Sequence, residues 1–350
     1  MIRLLVTGGA GFIGSNFIRL ALRERADASI VNLDKLTYAG NLDNLADLVE
    51  SGRFQGRYQF VQGDVADARL LAQLFRDGFD AVVHFAAETH VDRSLESPDV
   101  FLRTNVLGTQ ALLEAARRRG VGRFLHVSTD EVYGSAPENV SFPEDTPLRP
   151  SSPYAASKAG ADLLVLGYVR SYRFPALVLR CSNNFGPYQF PEKLIPLVIA
   201  NALDNKPVPL YGDGHNVRDW LYVEDHCRAI FEILMKGQEG ETYNIGGVAQ
   251  PTNLDVVRAL LELLGKPASL ITFVEDRPGH DRRYALDSQK LRAGLGWSPA
   301  LGFEAGLERT VEWYRGNPEW LARCRSGAYR DYYQRHYLER GETLRRLTAS

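Results

Sequence analysis

Two short stretches hold the side chains best suited to chemistry. Ser128-Thr129-Asp130-Glu131 follows the apolar run Phe124–Val127, so two adjacent acids sit where a buried strand ends. Carboxylates there must be solvated, paired or used, because burying an unpaired charge is costly. Two acids whose surroundings separate their pKa values divide the roles of acid and base. Further along, Tyr154 and Lys158 stand four residues apart in SPYAASK, which places both on one face of a helix opened by Pro153. An ammonium beside a phenol lowers its pKa and makes Tyr154 a base for a substrate hydroxyl. The pair is weak alone and gains its weight from what precedes it.

What precedes it is LLVTGGAGFIG, Leu4 to Gly14, in which Gly9, Gly11 and Gly14 satisfy G-x-G-x-x-G and Gly8 adds a further flexible position. The motif follows a strand and opens a helix, the context in which its glycines bring the backbone close to a pyrophosphate. Asp34 ends the next apolar run, twenty residues past Gly14. An acid there accepts from adenosine ribose hydroxyls and repels a 2′-phosphate, which favours NAD over NADP; the neighbouring cation of Lys35 could soften that exclusion. Asp64, in QGDV, either meets the adenine amino group or caps a helix.

The elements that must position these groups alternate along the first half. Strand-like runs at Arg3–Thr7, Ser29–Leu33, Tyr58–Gln62, Ala81–Phe85, Phe124–Ser128 and Ala176–Arg180 are separated by helix-like segments at Ile13–Arg25, Ala68–Phe75, Val100–Arg119 and Pro153–Arg173. Such alternation predicts an α/β fold with a Rossmann-type, doubly wound parallel sheet. After about residue 183 Pro, Gly and polar loops increase, which predicts a smaller C-terminal α+β lobe. The boundaries read as 1–183 for the first domain, with segments at about 217–248 returning to it, 184–325 mainly for the second lobe, and 326–350 for a tail.

Composition narrows the class. The chain of 350 residues is 45% hydrophobic and 24% charged, enough for a real core, and its net charge of −2 argues against a nucleic-acid surface. Cys181, Cys227 and Cys324 are far apart and form no CxxC or Cys/His cluster, so no disulfide framework or thiolate zinc site is expected, nor any metal. No apolar run is long enough to span a bilayer and no signal-peptide pattern precedes the first strand, so a soluble, cytoplasmic protein is expected. His84, His126 and His226 lie in apolar stretches and read as satisfied core residues.

TGGAGFIG, the Ser128–Thr129 strand end, Tyr154-x-x-x-Lys158 and RDWLYVED (Arg218–Asp225) together resemble the extended short-chain dehydrogenase/reductase superfamily. Thr-Asp-Glu discriminates within it. It is similar to the hexose 4,6-dehydratases, whereas 4-epimerases usually have an uncharged residue after the active-site Ser/Thr. DKLTYAGN (Asp34–Asn41), AAETHVDRS (Ala86–Ser94), SNNFGPYQ (Ser182–Gln189), PEKL (Pro191–Leu194) and DRPGHDRR (Asp276–Arg283) resemble the dTDP-glucose 4,6-dehydratase branch. The resemblance runs to about residue 315 and leaves the Arg- and Tyr-rich tail unmatched.

The resemblance implies a chemistry. Tyr154 takes the proton of the sugar 4-hydroxyl while C4 passes hydride to NAD. Glu131 removes the C5 proton, protonated Asp130 donates to the leaving 6-hydroxyl, and hydride returns to C6. Thr129 hydrogen-bonds the 4-oxygen. It further implies cofactor contacts from Gly8, Gly11, Phe12, Ile13, Gly14, Asp34, Lys35, Leu36 and Thr37. Asp64, Val65, Phe85, Ala86, Ala87, Thr89, Thr104, Ser128, Tyr154, Lys158 and Asn184 complete that set. Substrate contacts are implied for Thr89, Thr129, Asn183, Lys193, Leu194, Pro209, Tyr211, Arg218, Asn253 and Arg277. Arg218 and Arg277 clamp the diphosphate, Tyr211 lies near the base, and His280 either assists the phosphates or is an ordinary loop residue. The family also implies a homodimer built on the helices Val100–Arg119 and Pro153–Arg173. A dehydratase or decarboxylase acting on a UDP- or CDP-hexose is the rival within the superfamily. A catalytically silent NAD-sensing protein is the rival outside it, and four intact catalytic side chains weigh against it.

Overall fold

The fold was obtained as a computed structural model that describes residues 2–247, 249–326 and 328–348. Its strands are β1 (Ile2–Thr7), β2 (Ala28–Asp34), β3 (Tyr58–Gln62), β4 (Ala81–His84), β5 (Arg123–Thr129), β6 (Ala176–Cys181), β7 (Asn183–Phe185), β8 (Val208–Tyr211), β9 (Trp220–Tyr222), β10 (Thr242–Ile245) and β11 (Ile271–Val274). Seven form one sheet in the order β10-β6-β5-β4-β1-β2-β3, with every pairing parallel. The order reverses beside β1, whose neighbours are β4 and β2. Ligands of open parallel sheets bind at that switch point, outside the carboxyl ends of the strands. The expected doubly wound α/β architecture is present.

Parallel strands are covered on both faces, which is why these runs are apolar almost throughout. One face packs Phe17, Ile18 and Ala21 of the helix Phe12–Glu24 and Ile230 and Ile233 of the helix Val223–Lys236 against Leu4, Val6 and Leu125. The other packs Leu112, Leu113 and Ala116 of the helix Thr109–Arg118 and Val165 of the helix Pro153–Tyr172 against Leu5, Val82 and Phe124. Two parallel pairs, β8 with β11 and β7 with β9, belong to the second half. There Ile199, Val208, Leu260, Leu307 and Trp320 share a separate apolar cluster.

The segment read as one helix from Val100 differs in detail. A short helix Pro98–Phe101 runs into a π-helical stretch, Leu102–Gly108, and only Thr109–Arg118 is α-helical. Among the described residues no helix is long and apolar enough to cross a membrane.

Candidate active site

The glycine loop joins β1 to the helix Phe12–Glu24, whose first residues follow Gly11 with no side-chain cap, so backbone N–H groups face outward there. Gly8 has φ 72°, and a Cβ on it would lie 2.6 Å from the Ala86 nitrogen; one on Gly14 would lie 2.3 Å from the Gly8 oxygen. Both positions exclude side chains and leave a backbone-lined cradle shaped for a diphosphate. Asp34 ends β2. Its Oδ2 accepts from the Ala10 N–H at 2.9 Å and its Oδ1 from the Leu36 N–H at 2.8 Å, which leaves further lone pairs facing the cavity. Leu36 adopts φ 57° to make that turn.

Lys35 lies 2.8 Å from Asp64 and pairs with that carboxylate. Asp64 is no helix cap. The cap of the helix Ala68–Leu74 is Asp67, which accepts from the Arg69 and Leu70 N–H groups.

One cavity of about 290 Å³ is lined by every residue named above for the cofactor except Leu36, and also by Thr129, Asp130, Glu131, Asn183 and Lys193. A second of about 150 Å³ is lined by Leu194, Pro209, Tyr211, Arg218, Asn253, Arg277 and His280. Glu131, Asn183, Glu192 and Lys193 belong to both linings and form the wall where the cavities meet. Among the described residues, Asp130 Oδ2, Asn183 Oδ1, Asn184 Oδ1, Asn253 Oδ1 and Arg277 Nε are buried without a hydrogen-bond partner. Such unmet polar atoms are costly and mark where a polar ligand would be held. The cradle, the Asp34 carboxylate and Asn184 together fit a dinucleotide such as NAD.

Tyr154 and Lys158 sit near the start of the helix Pro153–Tyr172, where the Ser152 hydroxyl caps the Ala155 N–H at 3.1 Å. Lys158 Nζ donates to the Val127 carbonyl at 2.7 Å, and burial pushes the amine down to about 8 against the pull of Asp162 and Cys181. The Tyr154 phenol behaves otherwise than its spacing suggests. Burial, then Glu131 and Cys181, push it well above the ordinary value, with a Thr129 hydrogen bond acting the other way. The main reason is burial, to which the Glu131 carboxylate adds.

The two acids open a 3₁₀ turn, Asp130–Tyr133, at the end of β5. Thr129 Oγ1 accepts from the Glu131 N–H at 3.2 Å and donates to Asp130 Oδ1 at 3.2 Å. Burial, Glu131 and Asp219 hold the Asp130 carboxyl well above the usual range. Burial also raises Glu131, but Arg277, Lys193 and Arg218 oppose it. Both carboxyls of the turn are thus raised, Asp130 strongly and Glu131 against the pull of three cations.

In the second cavity Arg218 donates to the carbonyls of Val217 and Asp281 at 2.8 and 3.0 Å and lies 4.2 Å from the Tyr284 ring centroid. Lys193 Nζ donates to the Thr89 carbonyl at 2.9 Å, and the Tyr211 hydroxyl to Asp92 Oδ2 at 2.7 Å. Burial pushes Asp92 up, but Arg277, His90 and Arg340 outweigh it and hold the acid at about 2. His280 Nδ1 lies 2.6 Å from Asp276 Oδ1, and burial lowers its pKa.

Some lining residues escaped the sequence reading. Asp92 and Glu192 lay inside stretches whose resemblance was visible, while Tyr284 and Tyr337 carried no local signal. Of the histidines read as satisfied, His84 bonds Thr7 and Thr109 at 2.7 and 2.9 Å. His126 Nε2 lies 3.5 Å from Asp162 Oδ1, whereas neither ring nitrogen of His226 has a hydrogen-bond partner among the described residues, which corrects the reading of His226 alone.

Comparison with known proteins agrees with this geometry. The family model described as GDP-mannose 4,6 dehydratase matches residues 5–310. A dTDP-glucose 4,6-dehydratase of Xanthomonas campestris pv. campestris is 53% identical, over 93% of this chain and 97% of that protein. The dTDP-glucose 4,6-dehydratase 1 of Escherichia coli is 49% identical, over 96% and 99%. The crystal structure of DesIV, a dTDP-glucose 4,6-dehydratase from Streptomyces venezuelae with NAD bound, superposes with a TM-score of 0.89 at 52% identity, covering 92% of this chain and all of that one. With near-complete coverage at about half identity, the chain belongs to the GDP-mannose 4,6 dehydratase family and, within it, to the dTDP-glucose 4,6-dehydratases.

Proposed function

We propose that this chain is a hydro-lyase that converts dTDP-glucose to dTDP-4-keto-6-deoxyglucose, a step of deoxysugar synthesis, with NAD held in the first cavity. When bound, NAD takes hydride from C4 of the sugar and returns it at C6. Tyr154 accepts the proton of the 4-hydroxyl and Thr129 Oγ1 hydrogen-bonds the 4-oxygen, with the buried Lys158 one helical turn from Tyr154. With C4 a ketone the C5 proton is acidic, and Glu131, whose rise through burial is opposed by Arg277, Lys193 and Arg218, removes it. Asp130 gives its proton to the departing 6-hydroxyl, which leaves as water. Glu131 then returns its proton to C5 and is restored as the base. Asp130 has lost its proton to water while Tyr154 holds that of the 4-hydroxyl, so one proton passes from Tyr154 to Asp130 before the next turnover.

One observation carries this reading. Asp130 and Glu131 share a turn beside Tyr154; burial raises both carboxyls, but Asp130 faces two further acids, Glu131 and Asp219, while Glu131 faces the opposing cations Arg277, Lys193 and Arg218. An epimerase needs no such pair. The guanidinium groups of Arg218 and Arg277 and the His280 ring suit a nucleoside diphosphate, with Tyr211 and Pro209 toward its base. With Lys35 paired to Asp64, Asp34 favours NAD over NADP.

Partner and compartment extend the reading. Val100, Leu102, Leu107, Leu163 and Tyr172 are exposed on the segments 98–108 and 153–172, and a second copy covering them makes a cytoplasmic homodimer through four helices. The deciding experiment mixes the enzyme with dTDP-glucose deuterated at C4 and unlabelled substrate, with UDP-glucose in a parallel reaction. Deuterium on C6 of the same molecule, with dTDP-glucose the faster substrate, is expected. Label scrambled between molecules, or a 4-epimer as product, overturns the scheme.

A further inference from the structure

Behind the catalytic stripe lies a run of buried polar groups that the dehydration scheme leaves unused. Asp162 follows Lys158 on the helix Pro153–Tyr172 at the same spacing that separates Lys158 from Tyr154, and it is fully buried. Its Oδ2 accepts from Arg180 Nε at 2.8 Å. Arg180 lies on β6 and is only 3% exposed; its Nη1 donates to the Tyr133 hydroxyl at 2.7 Å and to the Glu144 carbonyl at 3.1 Å. The guanidinium carbon also stands 4.8 Å from the Tyr133 ring centroid. The Tyr133 hydroxyl in turn donates to Asn244 Oδ1 on β10 at 2.9 Å. Tyr133 is the last residue of the turn that begins with Asp130 and Glu131. A single guanidinium therefore joins the helix of Tyr154 and Lys158 to the turn of the two acids.

Stability is a poor explanation for this arrangement. Taking both ions out of water costs about what their attraction returns, and apolar substitutes for such pairs are often neutral or better. What a guanidinium fork supplies is direction, because its donors leave one rigid plane toward two partners. The reaction needs direction at this place. Oxidation at C4 and elimination across C5 and C6 use different side chains on one bound sugar, and a misplacement of about 1 Å can cost a hundredfold in rate.

We propose that Arg180 and Tyr133 form a positioning strut that keeps Asp130 and Glu131 in register with Tyr154 and Lys158, so that elimination follows oxidation before the keto sugar departs. Neither strut residue lines the cavities or touches the substrate. The proposal rests on the dehydration reading above.

Tyr133→Phe tests it most cleanly, because it removes one hydroxyl and keeps the ring and the Arg180–Asp162 pair. Arg180→Lys keeps a charge opposite Asp162 but cannot reach both partners along fixed directions. In each variant two rates are measured in rapid mixing with dTDP-glucose: C4 oxidation, from the absorbance of the reduced cofactor, and C5 exchange with solvent deuterium. In Tyr133→Phe, C4 oxidation should stay within about twofold of wild type while C5 exchange and water loss slow roughly three- to tenfold, the scale of one hydrogen bond. The 4-keto-glucose nucleotide should then appear free in solution. Arg180→Lys should shift the same ratio further. Equal slowing of both steps would mean only a loss of folded enzyme and would refute the strut, as would no change in either. Where Arg180→Lys fails to fold, Tyr133→Phe decides alone. A wild-type enzyme that makes no 4-keto-6-deoxy product removes the function and the strut together, whereas normal wild-type turnover with an unchanged ratio removes only the strut.

Discussion

His226 sets a measurable acid limit on the fold. It lies in the helix Val223–Lys236, is fully buried, and has no hydrogen-bond partner on either ring nitrogen among the described residues. Burial alone pushes its pKa from the ordinary 6.5 to about 3. The unfolded chain therefore binds a proton near pH 6.5 that the folded chain refuses until about pH 3. Stability from this residue is intact above pH 6.5 and is lost as pH falls through that window. At 1.36 kcal/mol per pKa unit the loss is about 2 kcal/mol by pH 5 and about 3 kcal/mol by pH 4. His226→Leu keeps a similar volume and removes both unmet nitrogens, so it should be close to neutral at pH 7. Urea unfolding of both proteins at pH 7, 6, 5 and 4 reads the difference, with His226→Leu gaining on wild type by about 2 kcal/mol between pH 7 and 5. Parallel curves would show that the folded protein admits the proton and would refute the reasoning.

Other perturbations give separate readouts. Gly8→Ala would place a methyl 2.6 Å from the Ala86 nitrogen at a φ of 72°, so the variant should purify without NAD while wild type retains it; chromatography of the denatured supernatant decides. Arg277→Ala should weaken nucleotide-sugar binding by about 1.5–3 kcal/mol and leave NAD retention unchanged, and equal losses in titration would misplace the diphosphate. Asp130→Asn should block water loss yet stabilise the fold at pH 7, because the folded state raises the acid's pKa and so penalises its anion above the unfolded value. That stability gain should vanish toward pH 3, and a gain independent of pH would contradict it. Glu131→Gln should still oxidise C4 but stop C5 exchange, and undiminished exchange would remove its role as base.

Much of the site was legible because its signals are local. The glycine loop, the strand end at Thr129 and the spacing of Tyr154 and Lys158 depend on neighbours a few residues away, and the structure brings all of them to one cavity. Groups whose state is set across the chain were not legible. The Tyr154 phenol is raised in part by Glu131 and Cys181, both more than twenty residues distant, and Lys35 is neutralised by Asp64 on another loop. The π-helical stretch Leu102–Gly108 was also hidden, since a short apolar pattern does not separate i→i+4 from i→i+5 bonding. Tyr284 and Tyr337 line the second cavity from outside the stretches that carried the resemblance.

Tyr337 has a consequence for how the protein comes into being. Its ring lies 6.0 Å from that of Tyr211 in a tilted pair, in a segment anchored by the Tyr332 hydroxyl on His90 Nε2 at 3.0 Å and by His336 on Glu96 at 3.1 Å. Residues 328–348 leave the ribosome after all the rest of the described chain, whereas the strands around the glycine loop emerge early. Domains commonly fold in order of synthesis. The nascent chain can therefore shape its dinucleotide cradle long before its sugar-nucleotide cavity has a complete wall, and translation stopped near residue 326 would yield a protein loaded with cofactor yet open where its substrate should be enclosed.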